Sequence, residues 1–415
     1  MERHETYWDI VWKQFRSNSS AYRAVWALGP LVAIAIFAPL ICSNQPFWFW
    51  DGERYLYPWF RALFHPAEPV DYLFNMALVG FPIWLPIAVF QNIRWTRRGY
   101  FAGRRLWFVS LEFVLLTLML CAVFSIPAMR PQNSYASRTF AAEEFSSGGL
   151  KHGVFTLIPF GPNEQDLVGS TFKSPMFRKP ASECRESNDG FPHLLGTDNT
   201  GRDILTRMVY GTRISITVGL VAVGIYLTIG CLLGALAGYY GGTLDTLISR
   251  VIEVVLLFPS FFLILTLVAL LGPSIYIIMV VIGITGWPTI ARLIRGEVLK
   301  QRAADYVGAA QALGLTNSRV IFRHILPNSL APALVAAPFG IAGAIITEAG
   351  LSLLGFGVRP PTPTWGSVLK LGSENYAYWW LVLVPSLAIF FTVTIFNLIG
   401  SGLRDAMDPR LRATR

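Results

Sequence analysis

Carboxylates set inside apolar stretches are the residues of this chain best suited to chemistry. Glu253 and Glu348 each interrupt a long apolar run, and Glu112 is a third, nearer the end of its run. A carboxylate in hydrocarbon is costly unless it is paired or faces a cavity, so such residues mark proton relays and ion sites. The competing reading puts Glu253 and Glu348 close to the interface, or in pairs within the helix bundle. Other reactive residue types offer less. His4, His65, His152, His193 and His324 are scattered, with no HExxH, and no GxSxG elbow occurs. No Gly-Lys dipeptide exists, so the Walker A phosphate cradle is absent and the chain does not hydrolyse ATP through a P-loop. Cys42, Cys121, Cys184 and Cys231 form no CxxC pair, which supports neither a disulfide framework nor a zinc site. No catalytic residue and no metal ligand is therefore assigned, and an enzyme is not expected.

The elements that must position these residues are membrane helices. The chain has 415 residues, 53% apolar and 14% charged, where an ordinary soluble domain carries roughly 25% charged. Apolar runs at about 26–42, 70–91, 106–126, 214–237, 252–271, 275–290, 331–354 and 380–403 make eight candidate spans. The first and sixth are short for a hydrocarbon core of roughly 30 Å. Gly230, Gly234, Pro332, Pro338, Gly340 and Gly343 lie inside these runs, as is common where membrane helices approach closely. Twenty of the 34 Lys and Arg residues fall on one set of connections, and only Arg54, Arg61, Arg359 and Lys370 on the alternate short ones. That bias places both termini in the cytoplasm, as eight spans require. The net charge of +9 thus reads as membrane orientation and not as nucleic-acid binding. Mixed charge precedes the first run and Ile41 precedes Cys42, unlike a signal peptide, so the first helix is expected to be retained. The long polar segment 127–213 reads as an external loop or small domain.

The connection 291–332 is too long for a turn. It is dense in charge at first and then holds Asp305, Tyr306, Gly308, Ala309, Ala310, Leu313 and Gly314. The alanine-rich run predicts a helix that Gly314 stops. A second helix is predicted after an Asn317 cap, running to Leu326 and ending at Pro327. Small residues on the first helix (Ala309, Ala310, Ala312) suit insertion into a groove on another protein. An ordinary amphipathic interfacial helix explains the same pattern.

The stretch Gly308-Ala309-Ala310-x-x-x-Gly314 followed by Leu326-Pro327 resembles the "EAA" coupling motif of ABC importer permeases. Two positions depart from it: Gly308 replaces the glutamate, and His324 stands where isoleucine is common. The carboxylate that would pair with an ATPase is therefore missing from its place, and Asp305 is the acid nearby. Independently, His193 to Asp203, which contains Gly196, Thr197, Asp198, Gly201, Arg202 and Asp203, and its continuation through Arg207, Gly211, Arg213 and Ser215 resemble the C-type permease of dipeptide and oligopeptide importers. Gly238-Tyr239-Tyr240-Gly241-Gly242 with Asp245, Phe258-Pro259, Trp287-Pro288, Leu353-Leu354-Gly355-Phe356-Gly357 and the terminal Leu403 to Arg410 add to the match. The front of the chain is similar to the microcin C and oligopeptide uptake branch.

The resemblance implies an all-α polytopic membrane protein with about eight spans and a type I ABC importer permease core. Its expected parts are a cytoplasmic tail 1–25, three N-terminal helices in 26–128, an external segment 129–213, a core 214–403 with coupling loop 291–330, and a tail 404–415. Family members ordinarily have six spans, so 70–126 reads as an inserted hairpin, peripheral and making only packing or partner contacts. The implied function is ATP-driven peptide import across a bacterial inner membrane. The implied partners are a B-type permease, two ABC ATPase subunits and a periplasmic or lipoprotein binding protein. No cofactor is expected on this chain, with ATP and Mg held by the ATPases. Residues 305–327 would dock the ATPase; Gly196 to Asp203 would form a periplasmic gate or binding-protein contact. Rival readings are a proton-coupled secondary transporter using Glu253 or Glu348, an assembly or signalling membrane protein without cargo, and an ABC permease for nickel or another small solute.

Overall fold

The computed structural model describes residues 7–66, 68–97, 102–135, 140, 153–167, 169–179 and 191–408. His4, His152, Cys184 and the basic residues beyond 408 lie outside them. Helix α1 (Tyr7–Ser17) leads into α2 (Ser19–Ile41). Strands β1 (Trp48–Trp50) and β2 (Tyr55–Leu56), the short α3 (Pro58–Ala62), and the helices α4 (Pro69–Arg97) and α5 (Ala102–Ser125) follow. Strand β3 (Gly153–Val154) completes a small antiparallel sheet of order β2-β1-β3. The rest is helical: α6 (Ile204–Tyr240), α7 (Gly242–Leu257), α8 (Ser260–Leu271), α9 (Ile275–Arg302), α10 (Asp305–Ala312), α11 (Asn317–Arg319), α12 (Leu326–Ser329), α13 (Ala331–Leu353), α14 (Trp365–Glu374) and α15 (Trp380–Met407). Helices dominate because hydrocarbon offers backbone groups no water, and only an α-helix satisfies them within one segment.

Seven of the described helices are long and apolar enough to cross a membrane, and α7 with α8 pass that test together but bend by 85°. The fifth run, expected as one continuous span, is thus broken at Phe258-Pro259. Proline lacks the N–H that would continue the ladder and pushes its predecessor out of the helical region; Phe258 sits at φ −85, ψ 131. Other helices outrun their apolar stretches, α9 to Arg302 and α6 at both ends, because Arg, Leu, Lys and Glu form helix well beyond the point where hydropathy falls.

The chain divides into two compact units, one of Met1–Leu28, Ser215–Arg359 and Leu387–Arg415, the other of Gly29–Ile214 and Pro360–Ser386. In the first, α6 lies against α9 through glycines at every fourth position. A β-carbon at Gly230 would stand 2.7 Å from Ile290, at Gly234 2.5 Å from the Ala291 carbonyl, and at Gly238 2.9 Å from Val298. Such spacing lets membrane helices meet backbone to backbone. The same unit joins the start of α2 to the end of α15: Val11, Phe15, Ala21 and Ala406 share a core, and Asn18 Nδ2 donates to Asp405 Oδ2 at 3.1 Å.

In the second unit, α4 and α5 form the expected hairpin, with Trp84 Nε1 donating to the Val109 carbonyl at 3.0 Å. Its second helix is largely exposed, but its first reaches a buried charge. Its Asp71 and Asn75 each accept a hydrogen bond at 3.0 Å from Nη1 of Arg213, which is fully buried. The other guanidinium nitrogens donate to the carbonyls of Ala35 (2.6 Å) and Ile36 (3.3 Å). A buried guanidinium must find acceptors for its fork of donors, and this hairpin supplies the carboxylate.

Candidate functional site

The segment after α9 builds a helix, a bend and a second helix. Asp305 opens α10, and Tyr306 donates from its hydroxyl to Gln301 Oε1 at 2.9 Å. Gly314 adopts φ +74, its N–H bonds the Gln311 carbonyl (2.9 Å), and the Leu315 N–H bonds that of Ala310 (3.2 Å). This double bond closes a helix with a left-handed residue, which glycine takes without a β-carbon penalty. Val307 and Ala310 turn inward, whereas Gly308, Ala309, Ala312 and Gly314 are exposed and Leu313 is 81% exposed. The tip therefore offers small residues around one apolar knob, a shape suited to a groove.

The second helix differs from expectation at both ends. The capping position belongs to Thr316; Asn317 is the first helical residue. Nor does the helix stop at Pro327: a π-helical turn over Val320–Ile325 leads into α12 and on to Ser329. Proline in an ordinary helix clashes with the carbonyl four residues back, and a wider turn relieves that contact. Leu326 is half-buried and Pro327 exposed.

Sequence reasoning gave no role to the residues that hold this bend. Tyr239, at the end of α6, donates to Asn317 Oδ1 (2.9 Å) and accepts from Gln311 Nε2 (3.3 Å). Nearby, Asp245 of α7 takes a forked pair from Arg295 of α9, one arm at 2.6 Å. Their only sequence signal was the Gly-Tyr-Tyr-Gly-Gly run with Asp245.

The motif at 193–203 is a network of buried polar groups. Asp198 accepts from the backbone N–H groups of Thr200 (2.8 Å) and Arg202 (3.0 Å) and from Arg202 Nε (2.6 Å). Asp203 caps α6 by accepting from the Thr206 N–H at 2.7 Å, and its other oxygen lies 3.0 Å from His193 Nδ1. The Thr197 carbonyl receives Trp380 Nε1 at 3.3 Å. At Gly201, φ +74, a β-carbon would run into the Asp166 carbonyl; at Gly196, φ +77, it would stand 2.5 Å from that of Lys173. Gly196, Thr197, Asp198, Gly201, Arg202 and Asp203 thus form one turn seated on Asp166 and Lys173.

The two acids lie apart in kind. Glu253 sits on α7 before the break, its side chain 54% exposed and 2.7 Å from Arg250, so it is paired with a neighbour on its own helix rather than buried within the chain. Glu348 is fully buried on α13 and accepts from the Ser352 hydroxyl at 2.8 Å. Among the described residues no His, Cys, Asp and Glu cluster could hold a metal.

The family model for the inner membrane component of binding-protein-dependent transport systems matches residues 230–413, and that for the N-terminal transmembrane domain of oligopeptide transport permease C matches 6–58. The dipeptide transport system permease protein DppC of Alkalihalophilus pseudofirmus is 46% identical over 53% of this chain and 73% of its own. The protein of the same name in Haemophilus influenzae is 40% identical over 62% of this chain and 84% of its own. The oligopeptide transport system permease protein OppC of Bacillus subtilis is 39% identical over 68% of this chain and 98% of its own.

Proposed function

Because this chain belongs to the family of inner membrane components of binding-protein-dependent transport systems, we propose that its cargo is a peptide or peptide-like compound and that it works as one of two paired permease subunits. It is a multi-pass inner-membrane protein and the permease component of an ABC importer. The observation that carries the cargo is similarity to dipeptide and oligopeptide permeases over most of their length.

The partners in this reading are a B-type permease, two ATPase subunits holding ATP and magnesium, and a periplasmic or lipoprotein binding protein. The tip at 308–314 docks the ATPase, with Asp305, Tyr306, Leu326 and Pro327 at its base. Exposed small residues around Leu313 support this assignment. Closure of the ATPases displaces the helix pair 305–327 and rocks the core helices, so that a cavity between the two permeases alternates its access. Such motion is a rigid-body change about a bistable interface. The turn at 196–203 receives the binding protein. Both termini are cytoplasmic, supported by the contact of Asn18 with Asp405 and by the basic bias.

Reconstitution in proteoliposomes with the other subunits tests the reading. ATP-dependent accumulation of a labelled dipeptide or oligopeptide, lost when the ATPases are omitted, is expected. Uptake driven by a proton gradient without ATP and abolished by Glu348→Gln would establish a secondary transporter instead. ATP-dependent uptake of nickel and of no peptide would keep the permease and remove the peptide.

A further inference from the structure

We infer that Tyr239 is a positioning residue that fastens the bend of the cytoplasmic helix pair to the end of α6, so that displacement of the tip moves the core helix and is not absorbed in the turn. The inference rests on the docking role proposed for residues 305–327. A glycine-closed bend between two helical legs is a natural place for movement to dissipate, since the leg before it, α10, spans only Asp305–Ala312 and the leg after it begins only at Asn317. One hydroxyl spans that weakness. Gln311, before Gly314, donates to Tyr239 at 3.3 Å, and Tyr239 donates in turn to Asn317, after Gly314, at 2.9 Å. Donor and acceptor roles run in one direction along this chain, as a single phenol allows.

Tyr239 is itself held firmly. It is 5% exposed, and the Arg302 guanidinium carbon at the end of α9 lies 5.9 Å from its ring centroid. Its neighbour Gly238 lies against α9, with the Arg295 carbonyl 2.9 Å from where a β-carbon would be. A buried ring with its hydroxyl at the polar margin suits tyrosine, which supplies apolar packing and one satisfied polar handle. Phenylalanine would satisfy the packing equally; the hydroxyl is the part that touches the bend.

The test uses the complete reconstituted importer and reads peptide imported per ATP hydrolysed. Tyr239→Phe keeps the ring and removes both hydrogen bonds. Copurification of the ATPases and substrate-stimulated hydrolysis within about twofold of the unchanged complex are expected, while peptide per ATP falls about three- to tenfold, the factor an ordinary hydrogen bond is worth. Asn317→Ala, at an exposed position, should lower the ratio in the same direction, and combining the two should add little because the bond lost in Asn317→Ala is already absent in Tyr239→Phe. An unchanged ratio in Tyr239→Phe overturns the inference, as does a parallel loss of hydrolysis and uptake, which marks a merely structural role. Failure of the unchanged chain to copurify the ATPases would instead refute the docking reading on which the inference stands.

Discussion

Gly314 is exposed, and no atom lies within 4 Å of where its β-carbon would be, so only its φ of +74 demands glycine. Valine there must leave the left-handed region or bear about 1–2 kcal/mol of strain. Gly314→Val is therefore expected to reach normal membrane levels while losing ATP-coupled uptake; uptake equal to that of the unchanged chain would count against the docking role of the bend. Gly201 is different in kind, because its β-carbon would meet the Asp166 carbonyl. Gly201→Ala should disturb the seat of the external turn, read as faster proteolysis of that loop in intact spheroplasts. Both glycines hold φ +74, and only their surroundings show that Gly201 carries a steric requirement in addition to the conformational one.

At the level of elements, the hairpin of α4 and α5 changes standing once Arg213 is considered. Breaking a buried ion pair by removing one partner costs about 3–5 kcal/mol, because the other is left uncompensated. Asp71→Ala and Arg213→Ala should each lower the melting temperature of the detergent-solubilised chain. Asp71→Ala with Arg213→Met should recover part of the loss, since replacing both partners with apolar groups is often neutral. Strict additivity would show that the pair is not coupled. Deleting 70–126 removes Asp71 and Asn75 together and is expected to lower accumulation of the chain. Hydropathy announced two helices here but could not show that one of them carries the counter-ion for an arginine more than a hundred residues away.

For the whole molecule, Asn18 at the start of the first span and Asp405 at the end of the last are hydrogen-bonded, which supports the proposal that both ends lie on one side of the membrane. Seven spanning helices among the described residues would leave them on opposite sides, so that proposal requires the bent pair α7 and α8 to count as a crossing. Reporters active only in the cytoplasm, fused to either terminus, should both be active; one silent fusion would make the bent pair re-entrant. The sequence by itself determined the helical membrane class, the approximate spans and the motifs of the bend at 305–327 and the turn at 196–203. These depend on composition, on periodicity and on glycine or proline at single positions, all of which are local properties of the chain. Tertiary structure decided that Arg213 binds the hairpin, that Glu253 is paired outside the protein interior while Glu348 is buried, and that Tyr239 joins both legs of the bend. The Arg213 and Tyr239 contacts are meetings of side chains distant in sequence, while Glu253 and Glu348 bond neighbours three and four residues away and differ in what packs around them; both are set by how helices pack, something no single stretch of residues records.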